Sequence, residues 1–330
     1  MNHRENWDYQ SALAWLDELG ETQVKPGLAR IQALMATLGD PQQQLRAVII
    51  GGTNGKGTTC WLLEYALCRA GFRVGCATSP HLHSVRERLR LDRSPVSETE
   101  FAALADVVRR ACRKMAEHPS YFEVLTSITL AWFARREADI VVLEVGLGGE
   151  LDAMNIVDAE VAVLTTLALE HTDWLGDNLG AIARTKAGIV RPGTHVITGW
   201  PPEFHQFIPP CASLANGASA REWAALALER LGIAGEVGKT QPPGRREQAG
   251  NIMLDCAHNP SGMHRLVDDL LHRADLAEDH GNEFVPEVLL IGATEQADLF
   301  AFLHPIIELV VHIGVRHIVI AEPRTGRSSA

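Results

Sequence analysis

Several things are scarce in this chain. Its six cysteines (Cys60, Cys68, Cys76, Cys112, Cys211, Cys256) include no C-x-x-C pair, so neither a zinc knuckle nor a dithiol redox site is expected. The first residues, Met-Asn-His-Arg-Glu-Asn, contain no apolar signal region, and a reducing cytoplasm is the expected location. The longest uncharged apolar stretch, around Val161 to Leu169, is far below the ~20 residues that a membrane helix needs, which excludes insertion. Positive charge is short as well: 30 Lys and Arg face 41 Asp and Glu, a net charge of −11. Such a surface repels a phosphate backbone, so nucleic acid is excluded as a partner. Any phosphate-bearing ligand then needs a local site of backbone N–H groups, a few cations and a metal. Internal repeats and low-complexity tracts are also missing.

What is present is an ordinary globular composition, 46% hydrophobic and 22% charged over 330 residues. At roughly 100 to 200 residues per domain, that length predicts two domains. Tyr9, Leu13, Leu16 and Leu19 share a helical face, and Leu28 to Leu38 repeats the pattern before Gly39. Strand and helix then alternate: strand Ala47 to Ile50, helix Thr58 to Ala70, strand Arg73 to Thr78. Next come a helix capped by Ser97 and Glu100, a helix near Val124 to Arg135, and buried runs Ile140 to Val145 and Val161 to Thr166. This order predicts a doubly wound α/β fold with a mostly parallel sheet. Pro192, Gly193, Gly199, Pro201, Pro202, Pro209 and Pro210 crowd one stretch, which reads as the hinge. The expected domains are therefore 1–205 and a smaller α/β domain at 206–330. The latter begins with a helix at Ala218 to Leu231 and continues with strand Asn251 to Leu254, a helix near Gly262 to Leu271, strand Val288 to Ile291, helix Leu299 to Val311 and strand His317 to Ile320.

The strongest chemical signal is Gly51-Gly52-Thr53-Asn54-Gly55-Lys56-Gly57-Thr58-Thr59, placed after an apolar strand and before a helix. Glycines let backbone N–H groups turn toward phosphate oxygens, and the helix N-terminus adds partial positive charge. Lys56 reaches the terminal phosphates, and a Thr hydroxyl can ligate Mg²⁺. The strict G-x-x-x-x-G-K-[ST] pattern is not met, because Ile50 stands at its first glycine and Gly57 follows the lysine. Other candidates are weak singly. A lone Glu or His is more often solvated or structural than catalytic, and the free cysteines read as small core residues. His81 and His83 sit two apart with no third ligand nearby, a poor metal site.

Gly-Thr-Asn-Gly-Lys-Gly-Thr resembles the phosphate loop of the Mur ligase superfamily, in the spelling of its folylpolyglutamate synthase and dihydrofolate synthase branch. Thr78-Ser79-Pro80-His81-Leu82 resembles that branch's pterin-side loop, and Phe122-Glu123 with Thr126 its next motif. Val142-Leu143-Glu144-Val145-Gly146-Leu147-Gly148-Gly149, then Leu151-Asp152-Ala153 and Asn155, is similar to its metal-site segment. His171, Leu175-Gly176, Ile182-Ala183, Lys186-Ala187-Gly188-Ile189, Pro243-Gly244-Arg245 and Asp255-Cys256-Ala257-His258-Asn259-Pro260 continue the order, so the match runs from about Tyr9 to Arg327. The resemblance implies a Mur-ligase-like ATPase domain at 1–205 and a Rossmann-like C-terminal domain. It implies an ATP- and Mg²⁺-dependent amide ligase joining L-glutamate to dihydropteroate or a folate through an acyl phosphate.

Carried over by residue, it gives the nucleotide phosphates to Gly52 through Thr58, and the metal to Thr58, Glu144, His171 and Lys186, the lysine as a carbamate. Ser79, Pro80, His81 and Glu123 go to the pterin substrate. Arg245 goes to the γ-phosphate, Asp255 and His258 to the nucleotide, and Asn216 to adenine. A carbamate is an anionic oxygen ligand suited to a hard cation, and forming it requires a lysine whose pKa is lowered. The chain departs from the family at Glu150 (usually Arg), Met154 (Thr), Glu170 (Asp) and Thr185 (Glu). Ile189 to Asn216 is shorter than the family segment that supplies the last strands of the ATPase sheet. The chain stops at Arg324 to Ala330, before a final glycine-rich region. A shortened member is expected, monomeric or dimeric, with either its second domain closer in or the chain dimerised through the newly exposed edge, and with turnover low. The alternatives are a weak paralogue that binds nucleotide or pterin as a regulatory subunit, and a Mur-type ligase acting on another carboxylate.

Overall fold

The computed structural model describes residues 7–20, 25–280, 286–292, 299–313 and 315–321. The N-terminal Met1 to Asn6 and the stretch Arg324 to Ala330 lie outside them. Contacts divide the chain into two compact units, Met1–Pro242 and Pro243–Ala330.

The first unit opens with helices α1 (Tyr9–Glu18) and α2 (Ala29–Thr37). Asp8 caps α1, its Oδ1 accepting the Ser11 N–H at 2.9 Å, which satisfies one of the free amides of the first turn. Strand β1 (Ala47–Gly51) and helix α3 (Lys56–Arg69) follow, then β2 (Val74–Ala77), β3 (Leu89–Leu91) and β4 (Ser94–Pro95). After α4 (Glu98–Cys112) and α5 (Tyr121–Arg135) come β5 (Ile140–Glu144), β6 (Ala159–Leu164), α6 (Thr172–Leu175), α7 (Leu179–Ala187), β7 (His195–Thr198), β8 (Ser213–Asn216) and α8 (Ala220–Arg230). They build one sheet in the order β4-β3-β2-β5-β1-β6-β7-β8. From β2 to β8 every neighbouring pair is parallel, and β3 and β4 close the opposite edge antiparallel.

All five residues of β1 are buried, as a central parallel strand covered on both faces must be. The period of two sorts its side chains. Ala47 and Ile49 join the core under α1, α2, α4 and α5, whereas Val48 and Ile50 join the core under α3 and α8. Ser97 caps α4 as its spacing predicts, accepting the Glu100 N–H at 3.2 Å. Helix α5 starts at a capping box, Ser120 with Glu123, three residues before the Val124 expected as its start.

The second half of this unit corrects two expectations. The stretch rich in proline and glycine is not a hinge: it carries β7 and β8, which pair parallel with β6 and with each other. The sheet therefore keeps strands beyond β6 despite the short segment, because the prolines fall in the connection between strands and take no ladder hydrogen bond. Helix α8, expected in the second domain, packs on α3, with Trp223, Ala224, Ala227 and Leu228 in the same core as Leu63 and Leu67. The division thus falls at Pro242 and Pro243 rather than at 205 and 206.

The second unit contains a hairpin of β9 (Glu247–Ala249) and β10 (Ile252–Leu254), helix α9 (Pro260–His280), β11 (Val288–Gly292), helix α10 (Leu299–Ile313) and β12 (His317–Ala321). Strands β11 and β12 pair parallel. Met263, Val267 and Leu270 of α9 pack with Phe302, Ile306 and Leu309 of α10.

Candidate active site

The turn from β1 into α3 is shaped by its glycines. Gly52 has φ +127°, and a Cβ there would lie 2.0 Å from Thr165 Oγ1, so only glycine fits. The loop is held to the segment after β6. Thr53 N–H donates to Thr166 O at 2.8 Å, Asn54 N–H to Thr166 Oγ1 at 2.8 Å, and Ala168 N–H to Thr53 Oγ1 at 3.1 Å. Helix α3 then begins after Gly55, with no side-chain cap and no acidic residue in its first turn. Its leading N–H groups form a place for an anion. Lys56 Nζ arches over the loop, donating to Gly52 O at 2.9 Å and Thr53 O at 3.0 Å.

Parallel pairing sets Glu144 beside Ile50, so this buried carboxylate ends β5 next to the loop. Its oxygens would lie 3.5 Å from a Cβ on Gly57. On its other side, Glu144 Oε2 accepts the Ser79 N–H at 2.9 Å. One carboxylate therefore links the loop to the Thr78–Leu82 segment. That segment borders a small pocket lined by Thr78, Ser79, Arg88, Phe122, Leu125, Thr126, Thr129, Glu144 and Met154. Thr126 Oγ1 is buried there without a hydrogen-bond partner, an open polar contact. Met154, one of the departures from the family pattern, adds to that apolar wall.

The glycine-rich segment after β5 is folded by Asp152. Its Oδ2 accepts Gly146 N–H at 3.0 Å and Leu147 N–H at 2.9 Å, and its Oδ1 accepts Met154 N–H at 2.9 Å. Burial pushes its pKa up to about 6, against the pull of those three donors and of Lys56.

Lys186 of α7 is buried, with Nζ 2.5 Å from Glu170 Oε1. Burial lowers the lysine's pKa, with Glu170 opposing the shift. The Glu170 pKa is raised by burial, yet Lys186 and Lys56 bring it below the ordinary carboxylate value. His171 is exposed at the start of α6. Thr185 turns into its own helix, Oγ1 donating to Ala181 O at 3.2 Å, and Glu150 is exposed.

Several candidates thus converge: Gly52 through Thr58, Glu144, Ser79, and the Lys186–Glu170 pair that shares the field of Lys56. Others do not. Glu123 serves as the capping residue of α5, accepting Ser120 N–H at 2.6 Å and Arg30 Nε–H at 3.2 Å, and it is not among the pocket residues; Phe122 and Thr126 are. Asn216 ends edge strand β8, exposed. Arg245, Asp255 and His258 assemble within the second unit around Cys256. Arg245 Nη1 donates to Cys256 O at 3.1 Å, Asp255 Oδ1 accepts Ala257 N–H at 2.8 Å, and His258 Nδ1 meets Cys256 O at 3.0 Å. Arg88, Glu87 and the Glu170 contact were not foreseen. Only Glu87 left a trace in sequence, the Ser84-x-x-Glu87 capping-box spacing.

Among the described residues, no group of three or more His, Cys, Asp or Glu side chains is spaced to enclose a metal. A hard divalent cation such as Mg²⁺ does not need such a cage, since it binds through one or two protein oxygens, phosphate oxygens and water. Buried Glu144 beside Gly57, with Thr58 next along, suits that mode. His171 does not join them in this conformation.

A strand, a glycine turn, a lysine and an uncapped helix, with a carboxylate on the neighbouring parallel strand, define a nucleotide-binding α/β domain. Residues 50–197 match the Mur ligase middle domain. The chain is similar to proteins of the folylpolyglutamate synthase/dihydrofolate synthase family. It is 42% identical over 191 residues to the dihydrofolate synthase/folylpolyglutamate synthase of Escherichia coli, a match covering 58% of this chain and 45% of that protein. With the Mycobacterium tuberculosis counterpart it shares 29% identity over 369 residues, 88% of this chain and 74% of the relative. The chain thus spans less than half the length of several curated relatives. The structure of E. coli FolC in complex with DHPP and ADP superposes with a TM-score of 0.81 at 28% identity, over 96% of this chain and 89% of that one. A bifunctional synthase with Mn, AMPPNP and L-glutamate bound gives 0.78 at 26%, over 94% of each.

Proposed function

We propose that this protein is an ATP-dependent ligase that joins the amine of L-glutamate to a carboxylate of dihydropteroate or a reduced folate. The observation that carries the reading is the position of Glu144, whose oxygens face Gly57 of the phosphate loop on one side and accept the Ser79 amide on the other. A nucleotide phosphate and a substrate carboxylate held on those two sides are brought within reach of each other, as phosphoryl transfer between them requires.

In this reading the N–H groups of Gly52 to Thr58 hold the β- and γ-phosphates. Lys56 leaves the carbonyls of Gly52 and Thr53 to neutralise phosphate charge. A divalent cation, Mg²⁺ in the cell, would be held by Thr58 and Glu144, with His171 and a carbamylated Lys186 as the further ligands that the family resemblance assigns. Its chemistry would be neutralisation of the transferring phosphoryl group. Ser79, Pro80 and His81 border the pterin, with Phe122 and Met154 supplying apolar walls. Glu123, whose buried Oε1 has no hydrogen-bond partner, is the further substrate contact that the family resemblance assigns. The family resemblance further assigns Arg245, Asp255 and His258 to the nucleotide and Asn216 to adenine. Exclusion of water from the assembled site protects the acyl phosphate until glutamate attacks.

The test is ADP release by the full chain with dihydropteroate or a reduced folate, each with and without L-glutamate. Release that requires both the pterin and glutamate is expected. ATP hydrolysis indifferent to both, with no amide product, would refute the reading.

A further inference from the structure

Resting on the ligase reading above, we propose that Arg88 is a positioning residue: it fixes His81 as a neutral imidazole protonated at Nε2 and so holds the substrate loop in shape for a pterin-bearing carboxylate. Arg88 is 8% exposed, lines the pocket beside Ser79 and Phe122, and lies over the Tyr121 ring with its guanidinium carbon 5.7 Å from the centroid. Its Nε donates to His81 Nδ1 at 2.8 Å.

A guanidinium is a donor only. The nitrogen it meets must therefore present a lone pair, which leaves the ring proton on Nε2. An imidazolium, or the other tautomer, would set two N–H groups against each other. The contact consequently selects one protonation state and one ring orientation, in the way that a partner at one ring nitrogen sets the other.

The rest of the loop shows why this anchor matters. Its first residue is tied by Ser79 N–H to Glu144. Its far end is tied by three amides to Glu87, from Leu82 at 2.9 Å, His83 at 3.1 Å and Ser84 at 2.8 Å. Between those ties lie Pro80, which has no N–H, and His81. The His81 ring, held by Arg88, is a side-chain tie across that gap. The backbone closes the same circuit, with Thr78 N–H donating to Arg88 O at 3.2 Å. A substrate contacting Ser79 thus meets a loop whose middle is placed by Arg88.

The test uses the full chain labelled with ¹⁵N-histidine, His81 being assigned from the signal missing in H81L. The wild type should show the Nε2–H pattern in long-range ¹H–¹⁵N spectra. R88Q should give a mixture of tautomers, and R88K, which keeps a cationic donor, should restore the pattern at least in part. In calorimetry with ATP present, R88Q should weaken dihydropteroate or reduced-folate binding by about tenfold or more, the size of one charge-assisted hydrogen bond. R88K should fall between R88Q and wild type, and ATP affinity should stay within about twofold in each. H81L, which leaves Arg88 in place but removes the acceptor, should reproduce the R88Q loss and guards against a folding defect specific to R88Q. An Nδ1–H or doubly protonated His81 in the wild type overturns the proposal. So does a tautomer change in R88Q with undiminished pterin affinity. Wild-type protein that binds no pterin defeats the ligase reading and the positioning role with it, and is recognised separately because the Nε2–H signal persists.

Discussion

Lys186 and Glu170 form a pair removed from water, with Nζ 2.5 Å from Oε1 and side-chain exposures of 1% and 10%. Each charge is tolerated because of the other. Burial alone favours the neutral lysine, and Glu170 opposes it. Capture of CO₂ by this lysine accordingly requires it to lose its proton and to leave Glu170.

Removing one member of such a pair strands the other. Lys186→Ala is expected to cost about 3 to 5 kcal/mol of folding stability, and Glu170→Ala a comparable amount. Replacing both by methionine should cost much less than the two single losses combined. Urea unfolding of the three variants measures this, and additive losses would show that the two side chains act independently.

Two of the loop glycines, Gly52 and Gly57, should respond differently to alanine. At Gly52 the new methyl meets Thr165 Oγ1 and the backbone sits at φ +127°, so Gly52→Ala should lose about 3 kcal/mol or more together with nucleotide binding. At Gly57 the nearest atoms are the Glu144 oxygens at 3.5 Å, ordinary contact, and the position is helical. Gly57→Ala should therefore fold as well as the parent, or more stably by up to ~1 kcal/mol, while weakening ATP binding in the presence of Mg²⁺. Thermal melting and calorimetry on the pair separate the two effects; equal melting temperatures for both variants would contradict the geometry.

Lys56→Ala removes a cation from the phosphate loop. Loss of a charge-assisted contact, roughly 1.5 to 3 kcal/mol, should weaken ATP binding tenfold or more. Unchanged affinity by calorimetry would take the lysine out of the site.

Asp152 gives the fold a pH dependence of known sign. Its pKa stands near 6 in the folded chain against 3.8 for an ordinary aspartate, chiefly through burial. A raised folded pKa means that the native state binds the proton more tightly. Its stabilising contribution is complete below pH 3.8 and fades as pH rises through 6, by about 3 kcal/mol at most. Asp152→Asn should remove that slope while losing about 1 to 3 kcal/mol near pH 4.5, from imperfect capping of the Gly146, Leu147 and Met154 amides. Unfolding free energies from pH 4.5 to 7.5 test this, and parallel profiles for the two proteins would rule it out.

Much of the architecture was legible before any coordinates. Strand β1, helix α3 and the glycine turn between them announce themselves through an apolar run, a change of period and a lysine in order, all properties of adjacent residues. The same holds for the cap at Ser97, whereas the cap at Ser120 was not read and α5 was expected only from Val124. Strands β7 and β8 escaped because each has only four residues among prolines, too few to display a period. Their identity as strands comes from partners, His195 to Thr198 lying between β6 and β8. The candidate site divides in the same way. The residue types of the phosphate loop and of Glu144 could be read from sequence, since strand, turn and helix are local. Glu123 was read as a substrate contact; its Oε2 accepts from the α5 cap and from Arg30, ninety-three positions away, while its buried Oε1 has no hydrogen-bond partner. Arg88 with His81, and Glu170 with Lys186, are likewise decided by tertiary structure. A buried polar group takes whichever partner the packed sheet and helices bring within reach, and no pattern of neighbours along the chain records that choice.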